Sequence, residues 1–201
     1  MSDADASALR RTVLTVALLN FGYFFVEFSV ARSIGSVSLF ADSIDFLEDT
    51  AVNFLIFVAL GWSLYRRSLI GMVLAAILLL PGVFTLWTAW EKFLVPVPPD
   101  PALLSITGMG ALVVNLTCAF LLIRHRKHGG SLARAAFLSA RNDVIANIAI
   151  IGAALLTALT VDGWPDLVVG LGIFLVNLDA AREVYRAAGR ERQEALNAVG
   201  N

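Results

Sequence analysis

Apolar residues in this chain come in long blocks rather than in short amphipathic stripes. Six blocks stand out, over residues 13–30, 37–64, 69–95, 102–123, 132–160 and 167–185. Each is near or above the ~20 residues that carry a helix across about 30 Å of hydrocarbon. The pattern predicts an all-α membrane protein of six transmembrane helices. Turn chemistry separates the blocks: Ser33-Ile34-Gly35-Ser36, Arg66-Arg67-Ser68, Pro96 to Pro101, His128-Gly129-Gly130 and Asp162-Gly163-Trp164-Pro165. Pro81 lies inside the third block and predicts a kink there. The first block holds Asn20 and Glu27 and lacks a small-residue cleavage pattern, so it reads as a retained helix rather than a signal peptide.

Composition agrees with the pattern. The chain is 58% hydrophobic and 15% charged, where a soluble domain has roughly 45–50% and 25%. A net charge of −1 gives no electrostatic reason to bind nucleic acid. A lone cysteine, Cys118, excludes an internal disulfide framework and a multi-cysteine metal knuckle. There is no internal repeat and no glycine-rich nucleotide loop, so transport by this chain is expected to be passive or coupled to an ion gradient. No deep histidine or nucleophile–base pair points to an enzyme.

Lys and Arg counts in the short loops set the expected orientation. With the N-terminus inside, the inner set is Arg10, Arg11, Arg66, Arg67, Arg124, Arg126, Lys127, Arg134, Arg182, Arg186, Arg190 and Arg192. The outer set is Arg32 and Lys92, with Arg141 inside the fifth span. Both termini are thus expected in the cytoplasm, with Trp87, Trp90 and Trp164 near outer boundaries. The expected organisation is a tail over 1–9, a membrane domain over 10–188 and a short polar tail over 189–201 without a further metal-binding domain.

The chemistry lies in the acidic residues within the spans. A carboxylate at membrane depth costs roughly 2.5–3.5 kcal/mol even on the lenient insertion scale, so it implies an ion, a proton or a partner. Asp42, Asp45 and Asp49 are spaced three and then four apart and share a helical face. Counting from Ser38 at 1.5 Å per residue, Asp45 lies about 10 Å and Asp49 about 16 Å along the helix. Asp42 and Glu48 can equally be headgroup-level acids, Asp42 being near a helix N-terminus. In the fifth helix Asp143 lies about 18 Å from Ser131. Ser139 and Asn147 flank it on the same face. Two helices presenting such oxygen pairs can converge on one cation; the blander role for Asp143 is a salt bridge with a cation such as Arg141. Asn20 and Glu27 share a face of the first helix. Asn115 reads as a cross-bundle hydrogen bonder, and His125 and His128 as part of an exposed basic loop.

The segment from Ser38 to Asp49, Ser-Leu-Phe-Ala-Asp-Ser-Ile-Asp-Phe-Leu-Glu-Asp, resembles the second transmembrane helix of cation diffusion facilitators. Ser139-Ala140-Arg141-Asn142-Asp143-Val144 resembles the H-x-x-x-D motif of their fifth helix, and Gly163-Trp164-Pro165-Asp166 with Gly170 and Gly172 resembles the entry to their sixth. The resemblance runs from about residue 10 to 188. It implies proton-coupled efflux of Zn2+ or a related divalent ion from the cytosol, with Asp45, Asp49 and Asp143 as metal ligands. Ser139 stands where the motif has histidine. That leaves an all-oxygen set, which suits harder ions than zinc.

The expected cargo is a divalent metal ion (Zn2+, Co2+, Mn2+ or Fe2+) exchanged for protons, with no resident cofactor. Three clustered carboxylates repel one another, so an empty site should hold at least one proton, which an incoming metal displaces. A homodimer formed through the membrane helices, in the inner membrane of a bacterium, completes the expectation. The alternative reading is a non-transporting accessory or metal-sensing subunit of an efflux system, motivated by the missing histidine and cytoplasmic domain.

Overall fold

A computed structural model describes the backbone of residues 3–59, 85–124 and 130–199. Side chains are described for most of these, though not for 130–139 or for much of the chain beyond 176. Pro81, Arg66, Arg67, His125 and His128 lie outside the described residues. The described chain is helical throughout, without strands: α1 (Asp3–Ile34), α2 (Val37–Ala59), α3 (85–94), α4 (Pro101–Ile123), α5 (Gly130–Thr160) and α6 (Trp164–Val199). Among the described residues, three stretches are long and apolar enough to cross a membrane: Ser7–Ile34, Pro101–Ile123 and Ala140–Thr160. The apolar part of α6, Trp164–Val176, is shorter. α2 has the length, at 23 residues, but carries four acids.

α1 and α6 outrun the apolar blocks that announced them. The polar tail expected after residue 188 is instead helix as far as Val199. The reason is propensity: residues 182–198 are rich in Arg, Glu, Ala, Gln and Leu, all good helix formers, and nothing obliges a helix to stop where its hydrophobicity does.

Local chemistry sets the turns. Gly35 takes a left-handed φ of +64°, and the Ser36 amide donates back to the Ala31 carbonyl at 3.1 Å. That is a Schellman end, and glycine avoids the Cβ penalty of this conformation. α4 starts on Asp100, whose carboxylate accepts from the amides of Ala102 and Leu103, with Pro101 in the first turn.

The helices are dressed for lipid. On α4, Ile106, Met109, Val113, Leu116 and Phe120 point outward, while Thr107, Gly108, Ala111, Asn115 and Cys118 point inward. Small and polar residues at the contacts let helices approach and hydrogen-bond where no hydrophobic force drives them together. Tyr23 of α1 uses such an approach: its hydroxyl lies against Gly110 and donates to the Thr107 carbonyl at 2.7 Å.

α1 and α2 form an antiparallel hairpin whose register pairs Phe28 with Phe40, Tyr23 with Phe46 and Asn20 with Asp49. Two apolar clusters brace its ends. Ala31, Leu39, Phe40, Ala41, Ile44, Leu104 and Ile150 lie toward the α1–α2 turn, and Leu9, Val13, Val16, Ile56, Cys118 and Leu122 toward the other end. The buried polar residues lie between.

Candidate functional site

The hairpin register decides which acids meet which partners. Asn20 and Glu27 are seven residues apart on α1, as are Asp49 and Asp42 on α2, so the two polar pairs form two levels about 10 Å apart. The aromatic contact of Tyr23 with Phe46, 5.1 Å between ring centroids, falls between them.

The level farther from the turn gathers the sequence-derived ligands. Asp49 is 5% exposed, and one of its oxygens accepts from Asn20 Nδ2 at 3.3 Å. Cys118 Sγ in turn donates to Asn20 Oδ1 at 3.4 Å, holding the amide in that orientation. Across the helix interface Asp143 of α5 faces Asp49. Asp45 feels the charges of Asp143, Asp42, Glu48 and Asp49. Asp45, Glu48 and Asp143 are part-buried. The structure therefore brings Asp45, Asp49 and Asp143 onto facing sides of α2 and α5. It does not close them into a finished shell: no group of three His, Cys, Asp or Glu side chains among the described residues is arranged to hold a metal ion. The side chain of Ser139 lies outside those described.

The geometry bears on two of the blander alternatives. Arg141 is exposed and donates to Asn142 at 3.1 Å; it turns away from Asp143, as residues two apart on a helix must. Asp42 faces the bundle interior rather than the surface. It is fully buried, and Asn147 Nδ2 donates to its Oδ2 at 2.5 Å. Asn115, read as a cross-bundle hydrogen bonder, donates to Asn147 Oδ1 at 3.0 Å. The carboxyl groups of Glu27 and Asp42 lie against each other, and no N–H or O–H group donates to either Glu27 oxygen or to Asp42 Oδ1. A buried acceptor left unsatisfied costs about 1–3 kcal/mol, more when charged.

Asp166, the last residue of the Gly163-Trp164-Pro165-Asp166 motif, stands in the first turn of α6, and its partners were not foreseen from the sequence. Its carboxylate accepts from Ser36 Oγ (2.6 Å), Ser38 Oγ (2.5 Å), the amides of Val37 (2.8 Å) and Ser38 (3.2 Å), and Lys92 Nζ (2.8 Å). Lys92 also donates to the Gly35 carbonyl at 2.8 Å. Asp166 thus caps α2 from another helix, its charge set against the positive end of the α2 dipole. Lys92, counted among the outer cations by the loop-charge rule, is 6% exposed. One knot joins α3, α6 and the α1–α2 turn, fixing the end of the hairpin that carries the acids.

Helices with lipid-facing apolar surfaces around buried acids define a multi-pass membrane protein built to handle charge at depth. Residues 13–191 match the cation efflux transmembrane domain, and the chain belongs to that family. It is 29% identical over 180 residues to the zinc transporter ZitB of Escherichia coli (strain K12) and, to the same extent, to ZitB of Shigella flexneri. These matches cover 82% of this chain and 56% of each relative, so the chain spans little more than half the length of the curated relatives it matches.

Proposed function

We propose that this chain is the membrane part of a proton-coupled exporter of a first-row divalent metal cation, zinc or a harder neighbour, with Asp45, Asp49, Asp143 and Ser139 as the ligands. One observation carries the reading: carboxylates on α2 and α5 face each other inside the bundle. Family membership and the zinc transporters among its relatives support it.

The chemistry follows from the donors. Carboxylates bind a divalent ion only when deprotonated, so cation entry expels protons and proton entry expels the cation. Asn20, steadied by Cys118, orients one oxygen of Asp49. Rocking of the α1–α2 hairpin and α6 against α4 and α5 would open the site to each face in turn, the usual way such bundles alternate access. With the basic loops and both termini inside and six spans in all, inward protons drive the metal outward. The setting is a bacterial inner membrane, and a homodimer formed through the membrane helices is the expected assembly.

The test is metal-dependent proton flux in proteoliposomes, screened over Zn2+, Co2+, Mn2+ and Fe2+, with Asp49→Ala as control. Flux that collapses in Asp49→Ala supports the exporter. Flux undiminished by that change sinks the ligand assignment. Absence of flux with every ion from folded protein would favour an accessory subunit.

A further inference from the structure

We propose that Glu27, Asp42 and Asn147 form a second station for a divalent cation, one level nearer the α1–α2 turn than the Asp45–Asp49–Asp143 site. The inference takes its cargo from the exporter reading above and adds a step to the path. Glu27 is 0% exposed and lies against the Asp42 carboxyl group, and no N–H or O–H group donates to either Glu27 oxygen or to Asp42 Oδ1. A buried carboxylate that served only packing would have its acceptors met, as those of Asp166 are. Here three buried oxygens on α1 and α2 receive no N–H or O–H donor, and two carboxyl groups lie against each other, an arrangement that a cation between them would satisfy.

Neighbouring amides hold Asp42 in place. Asn147 holds Asp42 Oδ2 from α5, and Asn115 holds Asn147 from α4, so four helices contribute to the level. Partners of this kind orient ligating carboxylates and tune affinity. All the free donors are oxygens, the set that suits small hard divalent ions and that zinc also accepts. The Tyr23–Phe46 contact separates this level from the first, while Asp45, three residues from Asp42, feels the charges of both Asp42 and Asp49. Asp45 is placed to hand a cation from one level to the other.

Equilibrium dialysis of the purified full chain against Mn2+ and Zn2+, with bound metal counted by elemental analysis, tests the second station. Wild type is expected to bind two ions, and Glu27→Gln, Asp42→Asn and Asp49→Ala one each. Size-exclusion profiles show which variants are folded. A measurement on unaltered protein stands beside them: at saturation, two Mn2+ ions roughly 10 Å apart broaden each other's EPR lines. One bound ion, lost in Asp49→Ala but kept in Glu27→Gln, with unbroadened lines, overturns the second station and leaves the exporter reading intact. One ion lost with either substitution means a single merged site and also overturns it. No bound ion in wild type overturns both.

Discussion

Replacing Asp166 by Asn keeps the shape of the α2 cap and removes its charge. The amide nitrogen must take one of two oxygen positions. The Oδ2 position faces Lys92 Nζ and the Val37 amide, which can only donate. The Oδ1 position faces two serine hydroxyls, which can turn to accept, and the Ser38 amide, which cannot. The nitrogen therefore goes to the serine side, and Lys92 is left buried with only neutral oxygens around it. Breaking a buried pair so as to strand one charge costs about 3–5 kcal/mol. Lys92→Met is milder, because Asp166 keeps four donors; losing one charged hydrogen bond costs about 1.5–3 kcal/mol. At roughly 2–4 °C per kcal/mol for a chain of this size, Asp166→Asn should lower Tm by about 10 °C and Lys92→Met by about half as much. Thermal unfolding in detergent, followed by size-exclusion fluorescence, reads both. A Lys92→Met loss equal to or larger than that of Asp166→Asn would refute the reasoning, since it would mean that the cap matters less than the ammonium.

Three further outcomes follow from particular contacts. A Cβ at Gly170 would lie 2.6 Å from the Val37 carbonyl carbon and 2.7 Å from the Ser38 amide. Both are backbone atoms, so Gly170→Ala should push α6 off α2 and lower folded yield, whereas Gly172→Ala, with open space around it, should be tolerated; detergent-extracted yield compares them. Asn20→Leu removes the hydrogen bond on Asp49 and should weaken metal binding by roughly 10–100-fold, as measured by titration calorimetry. Ser139→His supplies an imidazole where the ligand set has oxygen and should shift preference from Mn2+ toward Zn2+ in competitive transport; an unchanged preference would place Ser139 outside the shell.

Much of this protein follows from rules that act within one helix. Block length against bilayer thickness announces the spans. The three-and-four spacing of Asp42, Asp45 and Asp49 puts them on one face, and the seven-residue spacing of Asn20 and Glu27 does the same on α1, because the helical period needs nothing beyond the chain itself. Depth singles out Asp49 and Asp143, since carboxylates are not left in hydrocarbon without use. Which level each acid joins is another matter. Asp42 near the start of α2 read equally as an interfacial acid, whereas the fold buries it and binds it to Asn147. Only the hairpin register, set by Gly35 and the packing of Tyr23 on Phe46, puts Glu27 against Asp42 and Asn20 against Asp49. The pairing of Asp166 with Lys92 and the cap on α2 carried no local signal, since a cap supplied from another helix leaves no spacing to read. Helix identity is written in near neighbours, whereas partner choice is settled where distant polar groups, excluded from lipid, can satisfy one another.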